Sequence, residues 1–127
     1  MLDGQILDLQ KRRILLVDDD DDVRETSADM LEELGYGVVQ ATNGLEALAL
    51  LDDDPDLDVM VTDIRMPGMS GIELSDLAGV RSTRLKIILM SGYFLPQPIQ
   101  RRFLQKPFRT SDLDQAIRAE LDQDGAA

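Results

Sequence analysis

Residues 14–22 read Ile14-Leu15-Leu16-Val17-Asp18-Asp19-Asp20-Asp21-Asp22, four apolar residues running without a break into five carboxylates. An apolar run with no polar alternation suits a strand covered on both faces, as in a parallel sheet, and the abrupt change to Asp marks where the strand leaves the core. Two further runs share this design: Asp58-Val59-Met60-Val61-Thr62, followed by Asp63, and Lys86-Ile87-Ile88-Leu89-Met90, followed by Ser91. Gly37-Val38-Val39-Gln40-Ala41 and Phe103-Leu104-Gln105 are weaker members of the set, and Lys106 follows the latter. Five strands are expected.

Helical spacing fills the intervals. Val23, Ser27, Met30, Leu31 and Leu34 recur on one face, with Asp21 or Asp22 placed to cap the start and Gly35 to stop the chain. A second helix is expected from about Asn43, with Ala47, Leu48 and Leu51 facing inward, ending at Asp52-Asp53-Asp54-Pro55. A short helix is expected over Gly71 to Leu77, and a last one carries Leu113, Ala116, Ile117 and Leu121 behind the capping candidates Thr110 and Ser111. Strands alternating with helices imply βαβ units with right-handed crossovers. The expected fold is therefore α/β, a doubly wound five-stranded parallel sheet with helices on both faces and its site at the carboxyl ends of the strands.

Composition narrows the chemistry. The 127 residues suffice for one domain with a hydrophobic core, and 43% hydrophobic with 30% charged residues argues against wholesale disorder. Thirteen Lys and Arg face twenty-five Asp and Glu, a net charge of −12 that repels nucleic acid phosphates and anionic membranes. Without Cys or His there is no disulfide, no thiolate or imidazole metal ligand and no histidine acid–base catalyst. Carboxylates, hydroxyls, lysine and arginine must do the work. No apolar run is long enough to span a membrane, the start MLDGQILDLQ lacks the layout of a signal peptide, and a cytoplasmic location is expected.

In a doubly wound sheet the residues that follow the strands converge on one crevice, here Asp18, Asp19, Asp63, Ser91 and Lys106. Clustered carboxylates repel one another, so Asp18, Asp19 and Asp63 together predict a bound divalent cation, and all-oxygen ligation points to Mg²⁺ or Mn²⁺. Asp20, Asp21 and Asp22 read instead as a solvated acidic cap on the first helix.

Four segments carry a family resemblance: Ile14 to Asp20, Val61-Thr62-Asp63-Ile64-Arg65-Met66-Pro67-Gly68-Met69-Ser70-Gly71, Met90-Ser91-Gly92 and Gln105-Lys106-Pro107-Phe108. Together they resemble the signature segments of two-component response-regulator receiver domains, the CheY-like superfamily. The resemblance implies a flavodoxin-like sheet of strand order 2-1-3-4-5 and a receiver domain over residues 12–122, with an extension at 1–11 and a polar tail at 123–127. It implies a phosphorylation-dependent switch and no turnover enzyme. Asp63 would accept a phosphoryl group from a sensor histidine kinase or phosphotransfer protein. Asp18, Asp19, Asp63 and the backbone carbonyl of Arg65 would hold Mg²⁺, Lys106 and Ser91 would bind phosphoryl oxygens, and Ser91 would couple to Phe103 as the switch toward a downstream protein target. The donor histidine belongs to the partner, so its absence here is compatible. A single-domain regulator and a receiver from a hybrid kinase are both open.

Two other readings use the same residues. Asp19-Asp20-Asp21-Asp22-Val23 fits the opening D-x-D-x-V of Mg²⁺-dependent phosphatases of the haloacid-dehalogenase type. That reading leaves the Asp63 segment unexplained and needs a late acidic motif at a strand end, whereas Asp112 and Asp114 fall at the start of the last helix. A phosphorylation-independent interaction module is the other, although all five site positions hold competent residues.

One segment departs from the family. Residues 92–105, fourteen in all, must supply two loops, a strand and any fourth helix, and Pro96 and Pro98 bias Leu95 and Gln97 toward extended geometry. Tyr93 to Arg101 is expected to form a loop or about one turn, so that the fourth helix is short or absent. Tyr93, Phe94 and Leu95 then either face a partner or fold back over the gap, and Arg101 and Arg102 make a basic spot on an acidic surface.

Overall fold

Alternate residues of each central strand go to opposite faces of one sheet, and both faces are covered. The computed structural model describes residues 11–93 and 100–125. Its elements are β1 (Arg13–Val17), α1 (Asp21–Glu33), β2 (Gly37–Ala41), α2 (Gly44–Asp53), β3 (Val59–Asp63), α3 (Gly71–Arg81), β4 (Lys86–Ser91), β5 (Arg102–Gln105) and α4 (Thr110–Gly125). All pairings are parallel and the order is β2-β1-β3-β4-β5, as the resemblance implies. Leu15, Val17, Met60, Ile87 and Leu89 meet Ala47, Leu48 and Leu51 of α2 and Leu74 and Ala78 of α3. Ile14, Leu16, Val59, Val61, Ile88 and Met90 meet Ala28 and Leu31 of α1 and Leu113, Ala116 and Ile117 of α4. This two-sided burial is why the runs contain no polar alternation, and each fully buried Leu or Ile contributes about 2 kcal/mol.

Local chemistry sets the boundaries. Asp20, in place of the expected Asp21 or Asp22, caps α1 by accepting from the Val23 N–H at 3.1 Å. The reason lies in the pocket: the Asp18 carboxylate holds the Asp20 N–H at 3.0 Å and keeps that residue extended, so the helix begins at Asp21, earlier than expected. Gly35 ends α1 with φ of +97°, and Asn43 caps α2, both as expected.

The third helix runs four residues beyond the expected Leu77. Ser70 and Glu73 form a capping box, and Ser75 turns its hydroxyl back to the Gly71 carbonyl at 2.7 Å, which lets a polar residue sit in the buried face. In α4 the capping candidates Thr110 and Ser111 lie inside the helix. Asp112 instead reaches back to accept from the Arg109 N–H at 2.9 Å. That helix continues through Gly125, into the expected polar tail.

Between β4 and β5 the described residues hold no helix, and Tyr93, Gln100 and Arg101 are bends. Residues 94–99 of the expected loop, with Phe94 and Leu95, lie outside the described residues, as do residues 1–10. Arg101 and Arg102 do not form a basic spot. Arg101 reaches the Ser75 carbonyl at 3.4 Å and Asp76 at 4.0 Å on one flank, while Arg102 pairs with Glu120 at 2.7 Å on the other. Arg101 in the bend before β5 turns to α3, and Arg102, the first residue of the strand, turns to α4, so the two do not share a surface.

Candidate functional site

The carboxyl edge of the sheet brings the predicted residues into one pocket. Asp18 leaves β1 fully buried, and all its polar groups are engaged. Its N–H donates to the Ala41 carbonyl at 3.2 Å, its carbonyl accepts from Arg24 at 2.9 Å, and its two carboxylate oxygens accept from the Asp20 N–H and from Lys106 Nζ, the latter at 2.9 Å. Asp19 is exposed, and among the described residues its carboxylate has no hydrogen-bond or ion-pair partner. Asp63 ends β3 half-buried, accepts from the Ile64 N–H at 3.0 Å and lies 3.4 Å from Lys106 Nζ.

Electrostatics follow from these distances. Burial raises the pKa of Asp63; Lys106 opposes the rise and the charge of Asp18 adds to it. Burial alone would lower the pKa of Lys106, but the hydrogen bond and charge of Asp18, joined by Asp63, hold it above the ordinary lysine value. The pocket therefore carries its own cation, which the expectation of mutually repelling carboxylates did not include. Asp18, Asp19 and Asp63 each still offer an oxygen, all within 4.8 Å of one another. Oxygens around one Mg²⁺ at about 2.1 Å span up to about 4.2 Å, so a small side-chain movement closes the set on a hard cation. The donor set fits.

Ser91 is buried at the end of β4, next to Met90, which pairs in register with Asp63. Its hydroxyl accepts from the Tyr93 N–H at 3.0 Å, and its carbonyl accepts from the Lys106 N–H at 2.8 Å. Phe103, paired in register with Leu89, is partly buried against the core under α2 and α3. Arg65 is exposed, with its guanidinium 4.2 Å above the Tyr93 ring. Asp112 caps α4 and Asp114 accepts from the Tyr36 hydroxyl at 3.2 Å, so neither acts as the strand-end acid of the phosphatase reading.

Sequence reasoning missed three contributors. The Thr62 hydroxyl donates to the Asp63 carbonyl at 3.0 Å, Tyr93 joins the two loops beside the pocket, and Arg24 holds the Asp18 carbonyl. Only Arg24 had a sequence signal, being the sole basic residue between Arg13 and Arg65. Glycine provides the remaining fit. A Cβ on Gly71 would stand 2.1 Å from the Asp63 carbonyl oxygen, and the Gly71 N–H donates to the Ile64 carbonyl at 2.8 Å.

Fold and pocket together define a flavodoxin-like α/β domain with a cluster of three carboxylates beside a lysine. Residues 14–118 match the response regulator receiver domain, and the chain belongs to that family, the phosphoacceptor switches of two-component signalling. It is 36% identical over 117 residues to the response regulator receiver protein CpdR of Brucella abortus, covering 87% of this chain and 97% of CpdR. It is 39% identical over 115 residues to the transcriptional regulatory protein FixJ of Azorhizobium caulinodans, covering 84% of this chain but only 53% of FixJ, about half its length. The response regulator TrrA of Thermotoga maritima, solved with Mg²⁺ and BeF, superposes with a TM-score of 0.79 at 31% identity, over 85% of this chain and 97% of that one. Among the described residues no helix is long and apolar enough to cross a membrane.

Proposed function

We propose that Asp63 is the phosphoacceptor and that Asp18, Asp19, Asp63 and the backbone carbonyl of Arg65 hold Mg²⁺, a role Mn²⁺ can also fill. The observation that carries this reading is the place of Asp63: the carboxyl end of a buried strand, within reach of Lys106 and of both acidic residues after β1. The Mg²⁺–BeF complex of the related TrrA supports it. When bound, Mg²⁺ offsets the charge of the transferring phosphoryl group.

The chain's own residues do the rest. An Asp63 carboxylate oxygen attacks the phosphorus of a phosphohistidine on a sensor kinase or phosphotransfer protein; the O–P bond forms as the P–N bond breaks and the imidazole leaves. Lys106, fixed by Asp18, pairs with one phosphoryl oxygen. Ser91 spends an acceptor site on Tyr93, so its own proton is free to donate to another oxygen. Movement of Ser91 toward the phosphoryl group shifts Phe103 and signals to a downstream protein target. Phe103 lacks a phenolic hydroxyl, so the ring reports through packing alone. The receiver unit begins near residue 12 and, because α4 runs through Gly125, extends past the expected end at 122. The charge of −12 argues against direct nucleic acid binding and membrane association, and the setting is the cytoplasm.

Acetyl phosphate with Mg²⁺ tests the assignment. Intact mass should rise by one phosphoryl group, and Asp63→Asn should abolish the gain. Equal labelling of that variant overturns the reading, and sustained hydrolysis of phosphate esters lost in Asp19→Asn but not in Asp63→Asn would favour the phosphatase.

A further inference from the structure

Arg24 sits one helical turn into α1 with 11% of its side chain exposed, and it spends its guanidinium on three separate segments. One terminal nitrogen donates to the Asp18 carbonyl at 2.9 Å, the other to Asp21 at 2.8 Å, and Nε donates to the Gln40 side chain on β2 at 3.0 Å. The end of β1, the start of α1 and the edge strand are thereby tied to one rigid planar group.

The consequence falls on Asp19. The carbonyl that Arg24 grips belongs to the peptide linking Asp18 to Asp19, and Ala41 holds the peptide before Asp18. Asp19 itself has no side-chain partner among the described residues, so the backbone it extends from is the one restraint on where its carboxylate can reach. We infer that Arg24 is a positioning residue for the metal pocket: it fixes the Asp18–Asp19 peptide and so presents the Asp19 carboxylate to the cation. The inference rests on the proposed Mg²⁺ site and explains why a stretch otherwise without basic residues keeps one at this position.

Charge and position predict opposite signs. Arg24 is a cation near an acidic site, so its removal would by Coulomb's law alone tighten Mg²⁺ binding. If it positions Asp19, its removal loosens binding, and outer partners of metal ligands are typically worth tenfold or more in affinity. Lysine keeps the charge but, as a single point donor, cannot hold three acceptors in a plane, so it should not restore binding.

Calorimetric titration of the unphosphorylated protein with MgCl₂ decides the matter. Wild type should bind, Asp19→Ala should lose binding, and Arg24→Gln should weaken it about tenfold with Arg24→Lys close behind. Gln40→Ala, an exposed change that leaves the helix intact, should weaken it by a smaller factor. Circular dichroism identifies any variant that fails to fold, and in that event Gln40→Ala carries the test. Unchanged or tighter binding in folded Arg24→Gln, or full binding in Arg24→Lys, overturns the positioning role while leaving the Mg²⁺ site standing. No binding by wild type overturns the site itself, and the inference with it.

Discussion

The two walls of the acidic pocket are built differently. On the β1 side Asp18 has every polar group occupied, by partners on β2, on α1 and in the loop after β5. On the β4 side the Ser91 hydroxyl receives one N–H from Tyr93, and the Tyr93 ring, 56% exposed, is braced by Arg65. A single hydrogen bond and a surface cation–π contact are each worth about 1 kcal/mol. The first wall cannot rearrange without breaking several bonds together. The second can respond to any event that supplies a comparable energy, as a new bond from Ser91 to a charged oxygen does. In the function proposed above, the many-bonded wall would hold the cation and the singly bonded one would respond to the phosphoryl group.

Substitutions on either side put this contrast at risk. The largest effect is expected at Gly71, beside the end of β3 between the two walls, because the added methyl of Gly71→Ala meets the backbone of Asp63 and Ile64, which cannot move aside as a flexible side chain would. Overpacking of that kind should remove about 3 kcal/mol of stability, read as the urea midpoint at unchanged m-value. A midpoint equal to wild type would show that the close approach is not a constraint.

An intermediate effect belongs to the loose wall. Arg65→Ala should lower stability by about 1 kcal/mol or less and speed hydrogen exchange of the Tyr93 amide, while the Asp18 amide, bonded to the Ala41 carbonyl at 3.2 Å, stays protected. Equal protection of the two amides in wild type would erase the distinction between the walls.

The smallest effect lies outside both and serves as a control. Burial, with the charge and hydrogen bond of Asp114, raises the pKa of Tyr36. The fold therefore favours the neutral phenol. This contribution is complete below the unfolded phenol pKa of about 10 and is lost as pH rises through the folded value. Tyr36→Phe should melt slightly below wild type near neutrality, and the gap should narrow above pH of about 10. A constant gap across that range would detach Tyr36 from alkaline stability, and a shift in Mg²⁺ affinity would show that it is no control.

Much of this architecture was legible because parallel sheets write themselves plainly. A strand buried on both faces has no polar position until it ends, so Asp18, Asp63 and Ser91 announce themselves by interrupting apolar runs. The third helix was misjudged for the opposite reason: Ser75 on its buried face and Leu77 and Val80 on its exposed one blur the helical period. Arg24 and the Arg65–Tyr93 contact escaped because each depends on how separate segments meet in space, which local periodicity does not encode. The cap of α1 moved to Asp20 for a related reason, since a carboxylate in the pocket chose where the helix could begin.

The bond between Lys106 and Asp18 joins positions 88 apart in the chain. During synthesis the acidic cluster is therefore complete long before its cation arrives, and β5 must dock on β4 before Lys106 can reach across. Three carboxylates gathered without that lysine repel one another, so the pocket favours completion of the sheet and opposes partial assembly. The pocket with its own cation is therefore complete only once β5 is paired on β4.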